Sequence, residues 1–415
     1  MEEAGTAIAT GNKVRSAIPA GVDPLPRRRR VDPDGAFLVS AVHPSIPRHS
    51  PAKQQKQSIV LLEIHWKHEP GITGLQAVGS TQAASYSTMR CPVMTKYRRN
   101  LPQLEDEVFL MDGGIETTLI FHEGMELPCF AAFDLLRHEA GTETLRRYHA
   151  RHAAIARDNG SGFILDSATW RANRDWGAKL GYSLRELDLA NTKAIDLLFD
   201  LRAAFETAGS PMVISGCVGP RGDGYDPGAV MSPGEATTYH IRQIEVLAVA
   251  GVDLVTAYTL TNANEAIGVA RAAGAVGVPS AISFTLETDG RLPSGQTLRD
   301  AIETVDRATG QGPAYYMINC AHPTHFMQAL DDGAAGGAWI TRLRGVRANA
   351  SRRSHAELDG STDLDDGDPV ELALQYRDMR ARFPHITILG GCCGTDHRHI
   401  ERICLTCAAD GRVLA

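Results

Sequence analysis

The 415-residue chain has 43% hydrophobic and 22% charged residues, an ordinary globular composition that excludes a wholly disordered protein. No stretch approaches the roughly 18 consecutive apolar residues of a membrane-spanning helix, and the N-terminus lacks a secretory signal pattern, so we expect no membrane partner and a cytoplasmic location. Eight cysteines in such a chain are better explained as thiols or metal ligands than as a disulfide framework.

The first hundred residues differ in composition from the rest. They contain 14 Lys and Arg against 7 Asp and Glu, whereas residues 101–415 contain 28 against 42. The leader also holds 9 of the 21 prolines and an arginine run at 27–30, without a sustained helical or strand period. We therefore predict a disordered, basic, Pro-rich leader over residues 1–105. One interpretation is that the part before Met94 is an upstream extension of the reading frame. The acidic remainder, residues 106–415, is not expected to bind nucleic acid.

Beyond residue 105, short β-rich apolar runs alternate with longer amphipathic stretches, as in parallel strands joined by crossover helices. The predicted strands are 108–114, 162–169, 211–219, 252–259, 279–286, 314–321, 345–351 and 386–394. The predicted helices are 133–160, 183–209, 232–250, 261–275, 297–309, 323–331, 368–383 and 395–409. Ser232 and Glu235 flank Pro233 at the spacing of a capping box. Eight strand–helix pairs predict an α/β protein with a single (β/α)8 TIM barrel.

The active site of such a barrel lies at the C-terminal ends of the strands, and two of these ends carry cysteines. Cys320 ends the sixth predicted strand, and Cys392 and Cys393, flanked by glycines, end the eighth. Three thiolates are a soft donor set that favours zinc, and they leave a fourth tetrahedral position open, as in catalytic sites. A thiol bound there loses its proton near neutral pH and can attack an electrophilic carbon. We therefore predict that these three cysteines bind Zn2+ and are catalytic.

A second arrangement of the cysteines would give a structural site. Cys404 and Cys407 form a Cys-x-x-Cys in the last predicted helix and could join Cys392 and Cys393 in a closed four-cysteine set. The helical pair lies among apolar residues at the spacing of a core face, which favours the three-cysteine site.

The sequence resembles the homocysteine S-methyltransferases, a family that includes betaine-dependent and S-methylmethionine-dependent enzymes and the homocysteine-binding module of cobalamin-dependent methionine synthase. The resemblance spans about residue 106 to the C-terminus. It rests on three motifs: Asn319-Cys320, Gly391-Cys392-Cys393-Gly394 and Asp112-Gly113-Gly114. It implies a barrel whose three cysteines bind zinc and whose Asp112 helps to hold the amino-acid substrate.

One position departs from the family pattern. After the fourth strand the family usually has a Glu that binds the substrate's amino group, whereas this chain has Tyr258, followed by a matching Thr259. A phenol can accept a hydrogen bond from an ammonium group but supplies no negative charge. We predict substrate contacts at Asp112, Gly113, Thr169, Tyr258 and Thr259.

These features predict a zinc-dependent S-methyltransferase whose partners are a small-molecule thiol acceptor and a methyl donor. The methyl group passes by in-line attack from a small onium compound, such as S-methylmethionine or betaine, to a zinc-bound thiol, with homocysteine giving methionine. The barrel occupies the whole predicted ordered chain, so the donor is expected to diffuse freely, and Trp170 or Tyr258 is expected to face its cation. Two alternatives stay open: a non-catalytic zinc- or thiol-binding barrel, and a methyltransferase for a different thiol acceptor.

Overall fold

Eight parallel strands form a closed barrel in the computed structural model of the chain, which describes residues 95–334, 337–359, 361 and 363–407. The strands are β1 (Phe109–Leu110), β2 (Gly162–Asp166), β3 (Met212–Val218), β4 (Leu254–Leu260), β5 (Ser280–Thr285), β6 (Tyr315–Asn319), β7 (Leu343–Ala348) and β8 (Ile388–Gly391). Each strand pairs with the next, and β1 pairs with β8 through Phe109 opposite Ile388. The single (β/α)8 barrel predicted from the sequence is confirmed.

Besides short helical segments in the loops, the described residues form eight longer helices around the barrel, one after each strand. They are α1 (Glu139–Asp158), α2 (Leu184–Phe205), α3 (Pro233–Ala250), α4 (Ala263–Val276), α5 (Leu298–Thr309), α6 (Pro323–Ala334), α7 (Pro369–Arg382) and α8 (His397–Cys407). The predicted capping box of α3 is present, because Ser232 Oγ accepts the Glu235 amide at 3.3 Å and the Glu235 carboxylate accepts the Ser232 amide at 2.8 Å. No described helix is long and apolar enough to cross a membrane.

The predicted strands include residues that the structure places in loops. The differences are largest at β1, which has two residues instead of the predicted seven, and at β8, which has four instead of the predicted nine. After Met111 the polar segment Asp112–Gly114 leaves the ladder and enters the short helix Ile115–Thr117. The polar C-terminal ends of several predicted strands are likewise loop residues at the mouth of the barrel, which is where substrates reach a TIM barrel.

The inside of the barrel is filled by side chains. The members of this inner cluster include Phe109, Met111, Ile164, Val213, Leu254, Tyr258, Ala281, Tyr315, Met317 and Ile388. A larger apolar cluster lies between the strands and the helices. Because the interior is packed, the barrel is not a pore, and its C-terminal mouth is the expected place for a ligand.

Residues 96–105 pack against the N-terminal end of the barrel, which corrects the predicted leader boundary at residue 105. The Tyr97 amide donates to Asp253 Oδ1 at 2.8 Å, and the Arg98 guanidinium donates to the Val252 carbonyl at 2.6 Å. Leu101 is buried in the inner cluster. The sequence prediction missed this segment because a few separated anchors, rather than a periodic face, hold it in place. Residues 1–94 of the predicted leader lie outside the described residues.

Candidate active site

Three thiols meet at the C-terminal mouth of the barrel. Cys320 follows β6, and Cys392 and Cys393 follow β8. Their sulfur atoms all lie within 4.8 Å of one another, with 4.0 Å between Cys320 Sγ and Cys393 Sγ. Thiolates at a Zn–S distance of about 2.3 Å around a tetrahedral ion stand about 3.8 Å apart. The set can therefore close on one ion with a movement of about an ångström.

The alternative four-cysteine site is not formed. Within residues 95–334, 337–359, 361 and 363–407, the three-thiol cluster is the one group of three or more His, Cys, Asp or Glu side chains whose ligand atoms are arranged to hold a metal. Cys404 and Cys407 lie on α8 and are buried in the apolar cluster between the strands and the helices, as their spacing predicted.

The backbone around the thiols is held in an uncommon shape. Cys320 has a left-handed backbone with φ +53°, and Gly394 closes the double-cysteine turn with φ +79°. A Cβ atom at Gly394 would stand 2.6 Å from the Asp365 carbonyl oxygen, so this turn requires glycine. The Cys393 amide donates to Asn349 Oδ1 at 3.0 Å, which orients the second thiol of the pair.

Asn319 links the first thiol to the neighbouring strands. Its Oδ1 accepts the Thr259 amide at 2.9 Å and the Ser283 hydroxyl at 2.7 Å. Its Nδ2 donates to Thr259 Oγ1 at 2.9 Å and to Cys320 Sγ at 3.3 Å. Thr259 is also left-handed, with φ +59°. The Asn of the Asn-Cys motif therefore holds two strained residues and orients a thiol.

Hydrogen bonds among the thiols unequally shift their pKa values. Bonds from Cys320 and then Cys393 hold the pKa of Cys392 well below its usual range. The pKa of Cys320 is raised mainly by its hydrogen bond to Cys392, and that of Cys393 is raised mainly by Cys320. The low pKa favours the thiolate form of Cys392, which is the form that binds metals.

An aromatic side chain from another loop reaches the thiols. Tyr225, in the loop after β3, places its hydroxyl 3.4 Å from Cys393 Sγ. Its ring packs against His355 at a centroid distance of 4.0 Å with a tilt of 31°, and His355 Nε2 lies 2.5 Å from the Cys320 carbonyl oxygen. The sequence analysis did not identify either residue, because their loops carry no motif that points to the cysteines.

A buried arginine joins the polar groups below the thiols. Arg347 of β7 donates to Asp112 Oδ1 at 2.5 Å and to Asp166 Oδ2 at 3.1 Å, and its Nε donates to the Gly391 carbonyl at 3.0 Å. Tyr258 donates its hydroxyl to the same Asp166 oxygen at 2.6 Å. Burial raises the pKa of Asp166 to about 6. Sequence reasoning missed Arg347 and Asp166, although a charged residue inside a buried strand is a signal that could have identified both.

The other predicted substrate residues are largely engaged with the protein. Thr169 donates its hydroxyl to the Cys217 carbonyl at 2.6 Å and is fully buried. The Gly113 amide faces His152 Nε2 at 3.3 Å, and its carbonyl accepts from Tyr148 and from Arg347. Thr259 is bound to Asn319 through its amide and its hydroxyl. Their contacts with a substrate stay predictions.

The two aromatic rings expected to face the donor cation already contact protein cations. The Arg171 guanidinium carbon lies 3.9 Å from the centroid of Trp170, and that of Arg347 lies 5.0 Å from the centroid of Tyr258. Each ring therefore has one side occupied by an arginine.

Glu116 adds a further carboxyl group to this end of the barrel. It belongs to the short helix after β1, and burial raises its pKa to about 7, with the nearby Cys392 charge acting in the same direction. On α1, the imidazole of His149 lies 3.8 Å from Asp112 Oδ2, and burial lowers its pKa to about 4.

A packed parallel barrel with reactive side chains at the C-terminal ends of its strands has the layout of a TIM-barrel enzyme, and here a three-thiol cluster occupies that position. Residues 109–407 match the family model of the homocysteine S-methyltransferases, and the chain belongs to this family of methyltransferases.

Individual relatives are distant. The chain is 23% identical to homocysteine S-methyltransferase 1 of Arabidopsis thaliana, in a match that covers 71% of this chain and 91% of that protein. It is 23% identical to a selenocysteine Se-methyltransferase of Brassica oleracea var. italica, with 71% and 87% covered. The oxidised form of the homocysteine methyltransferase MmuM from Escherichia coli has the same fold, with a TM-score of 0.59 at 22% identity, over 74% of this chain and 97% of that one. The metallated form of MmuM gives a TM-score of 0.57 at 20% identity, over 74% and 98%.

Proposed function

We propose that the chain is a zinc-dependent S-methyltransferase that moves a methyl group from a small, freely diffusing onium donor to a thiol, in the cytoplasm. The observation that carries this proposal is the convergence of Cys320, Cys392 and Cys393 at the barrel mouth in a chain of this family. An all-thiol donor set suits zinc, and three protein ligands leave a position for a substrate. Homocysteine, named in the family description, is the reference acceptor, with methionine as its product.

The chemistry needs an ionised acceptor sulfur. Zinc held by the three thiolates would keep a bound thiol ionised near neutral pH. The acceptor's proton leaves to solvent, and its sulfur attacks the donor's methyl carbon. A sulfur–carbon bond forms while the bond from that carbon to the onium sulfur or nitrogen breaks. The electron pair stays on the donor atom, which becomes neutral, so no oxidant or reductant is required.

The residues of this chain would prepare that reaction. Asn319 orients Cys320 through its amide, and Asn349 orients Cys393 through the backbone. The Tyr225 hydroxyl, 3.4 Å from Cys393 Sγ, is close enough to the thiols to donate a hydrogen bond to an ionised sulfur there. These groups hold the thiols before substrate arrives, which lowers the cost of organising the site during reaction.

The decisive experiment is a screen of thiols against methyl donors that carry a deuterated methyl group, read by mass spectrometry. The donors include S-methylmethionine and betaine, and homocysteine heads the thiols. We expect the label on an acceptor sulfur, with loss of transfer after zinc removal and recovery when zinc returns. Zinc binding without transfer from any donor to any thiol would instead support a non-catalytic metal- or thiol-binding barrel. Donor consumption that persists without zinc and places no label on any thiol would indicate a lyase or hydrolase barrel.

A further inference from the structure

The mouth of the barrel contains a protein cation at Asp112, the carboxylate that the family resemblance expects to help hold the amino-acid substrate. Arg347 Nη2 lies 2.5 Å from Asp112 Oδ1, and this residue pair is almost completely buried, with 11% and 5% of the two side chains exposed. An ammonium group at this carboxylate would have to displace the guanidinium or approach it with like charge.

We propose that Arg347 fills the place of the acceptor's ammonium group, so that the natural acceptor is a thiol without an amino group. This inference rests on the proposed function and narrows its substrate class. Arg347 is then a specificity-determining residue, and it acts by occupying Asp112 and Asp166 rather than by touching the reacting sulfur.

The guanidinium is held from several sides. Besides Asp112 it binds Asp166 Oδ2 at 3.1 Å and the carbonyl oxygens of Gly391 at 3.0 Å and Gly113 at 3.1 Å. Gly390 leaves the space it needs, because a Cβ atom there would lie 3.1 Å from Arg347 Cγ. Breaking a buried ion pair of this kind is costly, and a ligand that had to do so would lose about 100-fold or more in affinity.

Tyr258, on β4, completes the network of Arg347, Asp112 and Asp166. Its hydroxyl donates to Asp166 Oδ2 at 2.6 Å, and its ring lies below the Arg347 guanidinium. The Glu that the family usually has at this position would add a third carboxylate next to Asp112 and Asp166. The tyrosine instead provides a neutral donor, and the Arg347 guanidinium is the cation that both Asp112 and Asp166 already bind.

The thiol cluster adjoins this network through the backbone. The Cys320 amide donates to the Arg347 carbonyl at 3.2 Å, and the Gly391 carbonyl that accepts from Arg347 Nε directly precedes Cys392. A small acceptor whose sulfur binds at the three thiols would therefore lie beside this network.

The test compares homocysteine with 4-mercaptobutyrate, which has the same chain and carboxylate but no amino group. Affinities are measured by titration of the cobalt-substituted full-length protein, using the sulfur-to-cobalt charge-transfer absorption, and kcat/KM is measured on the zinc protein. A carboxylate that bound the ammonium would favour homocysteine about 10- to 100-fold. We expect 4-mercaptobutyrate to bind at least as tightly as homocysteine.

Variants test the assignment to Arg347. Arg347→Met releases Asp112 and should shift the affinity ratio toward homocysteine by about tenfold or more. Because that variant leaves buried carboxylates uncompensated and can fail to fold, Tyr258→Glu provides a second test with the same expected shift and unchanged cobalt content. Tyr258→Phe is its matched control, because it removes the same hydroxyl without adding charge, and it should leave the ratio within about threefold.

The outcomes separate this inference from the proposed function. Wild-type protein that binds homocysteine tenfold or more tightly than 4-mercaptobutyrate overturns the inference, even if methyl transfer is observed. A ratio that does not move in Tyr258→Glu or in folded Arg347→Met overturns the assignment to this network. A preference for 4-mercaptobutyrate in binding supports the inference even when no donor gives turnover, a result that would count against the proposed function alone.

Discussion

Replacing Asn319 with alanine tests whether one buried amide holds Cys320, the first thiol of the proposed metal site, in place. Asn319 is 1% exposed and makes four side-chain hydrogen bonds, to the amide and hydroxyl of Thr259, the hydroxyl of Ser283 and the thiol of Cys320. The hydroxyls can rotate toward other partners, but the Thr259 amide cannot. Leaving one or two buried polar groups unpaired costs about 1–3 kcal/mol each, so we expect Asn319→Ala to lose about 3 kcal/mol of unfolding free energy.

The same substitution should weaken metal binding more than a loss of stability alone explains. Thr259 and Cys320 both have a positive φ, which non-glycine residues adopt only when their surroundings hold them there. Without Asn319 the Cys320 thiol can relax away from the pair on β8. Loss of a group that orients a metal ligand typically lowers metal affinity about 10- to 100-fold, and we expect that range for zinc.

A matched control is available on α2. Asn191 is 2% exposed, donates to the carbonyls of Ala172 and Leu187 at 3.0 Å each, and accepts from Gln243 at 3.2 Å. Asn191→Ala should lose a similar stability and bind zinc like wild type. Urea unfolding of the metal-free reduced protein and zinc competition with a chromogenic chelator measure the two effects. Two results would refute the role given to Asn319: wild-type zinc affinity in both variants, or the same loss of zinc affinity in both.

Three further predictions concern the metal, the leader and acid stability. The full chain should bind about one zinc with three protein sulfurs, seen by X-ray absorption, and four after a thiol is added; Cys320→Ala that keeps its zinc and turnover contradicts the ligand set. A chain beginning at Met94 should fold and bind zinc like the full chain, because it retains Leu101, whereas Leu101→Ala should lower the unfolding free energy by about 2–4 kcal/mol in chemical denaturation. The pKa of His149 in the folded protein, about 4, is below the 6.5 of the free side chain. The neutral imidazole therefore makes its full contribution to the free energy of unfolding above pH 6.5, and this contribution is lost as the pH falls toward 4. Between pH 7 and pH 4 the free energy of unfolding of His149→Phe should therefore fall by about 3 kcal/mol less than that of wild type. Equal falls in the two proteins would contradict the burial argument.

Much of the barrel could be predicted because its strands are parallel and buried on both faces. Such strands appear in a sequence as short apolar runs, and the helices between them have an independent amphipathic period. The three-thiol cluster could also be predicted, because the C-terminal ends of all strands meet at one face. Cys320 and Cys392 are separated by 71 residues, yet the topology alone brings them to the same mouth.

The remaining features depend on side chains whose partners come from unrelated loops. Tyr225 reaches Cys393 from the loop after β3, and no periodicity specifies where a loop crosses the mouth. The left-handed backbone of Thr259 could not be predicted either, because a threonine seldom adopts this conformation unless hydrogen bonds such as those from Asn319 hold it. The segment around Leu101 was missed for a similar reason, since one apolar side chain and a few polar anchors give no pattern.

Strand β7 connects the three-thiol cluster with the buried carboxyl groups of Asp112 and Asp166. β7 lies between β6 and β8, which carry the three cysteines, and its backbone pairs with both. The carbonyl of Arg347 binds the Cys320 amide, whereas its side chain crosses to Asp112 on the β1 side. The backbone contacts of β7 do not require an arginine, although the Arg347 Nε that donates to the Gly391 carbonyl also supports the turn that carries Cys392. If Arg347 selects the acceptor as proposed, Tyr258→Glu, which leaves the backbone of β7 unchanged, should change acceptor choice while the zinc content stays the same.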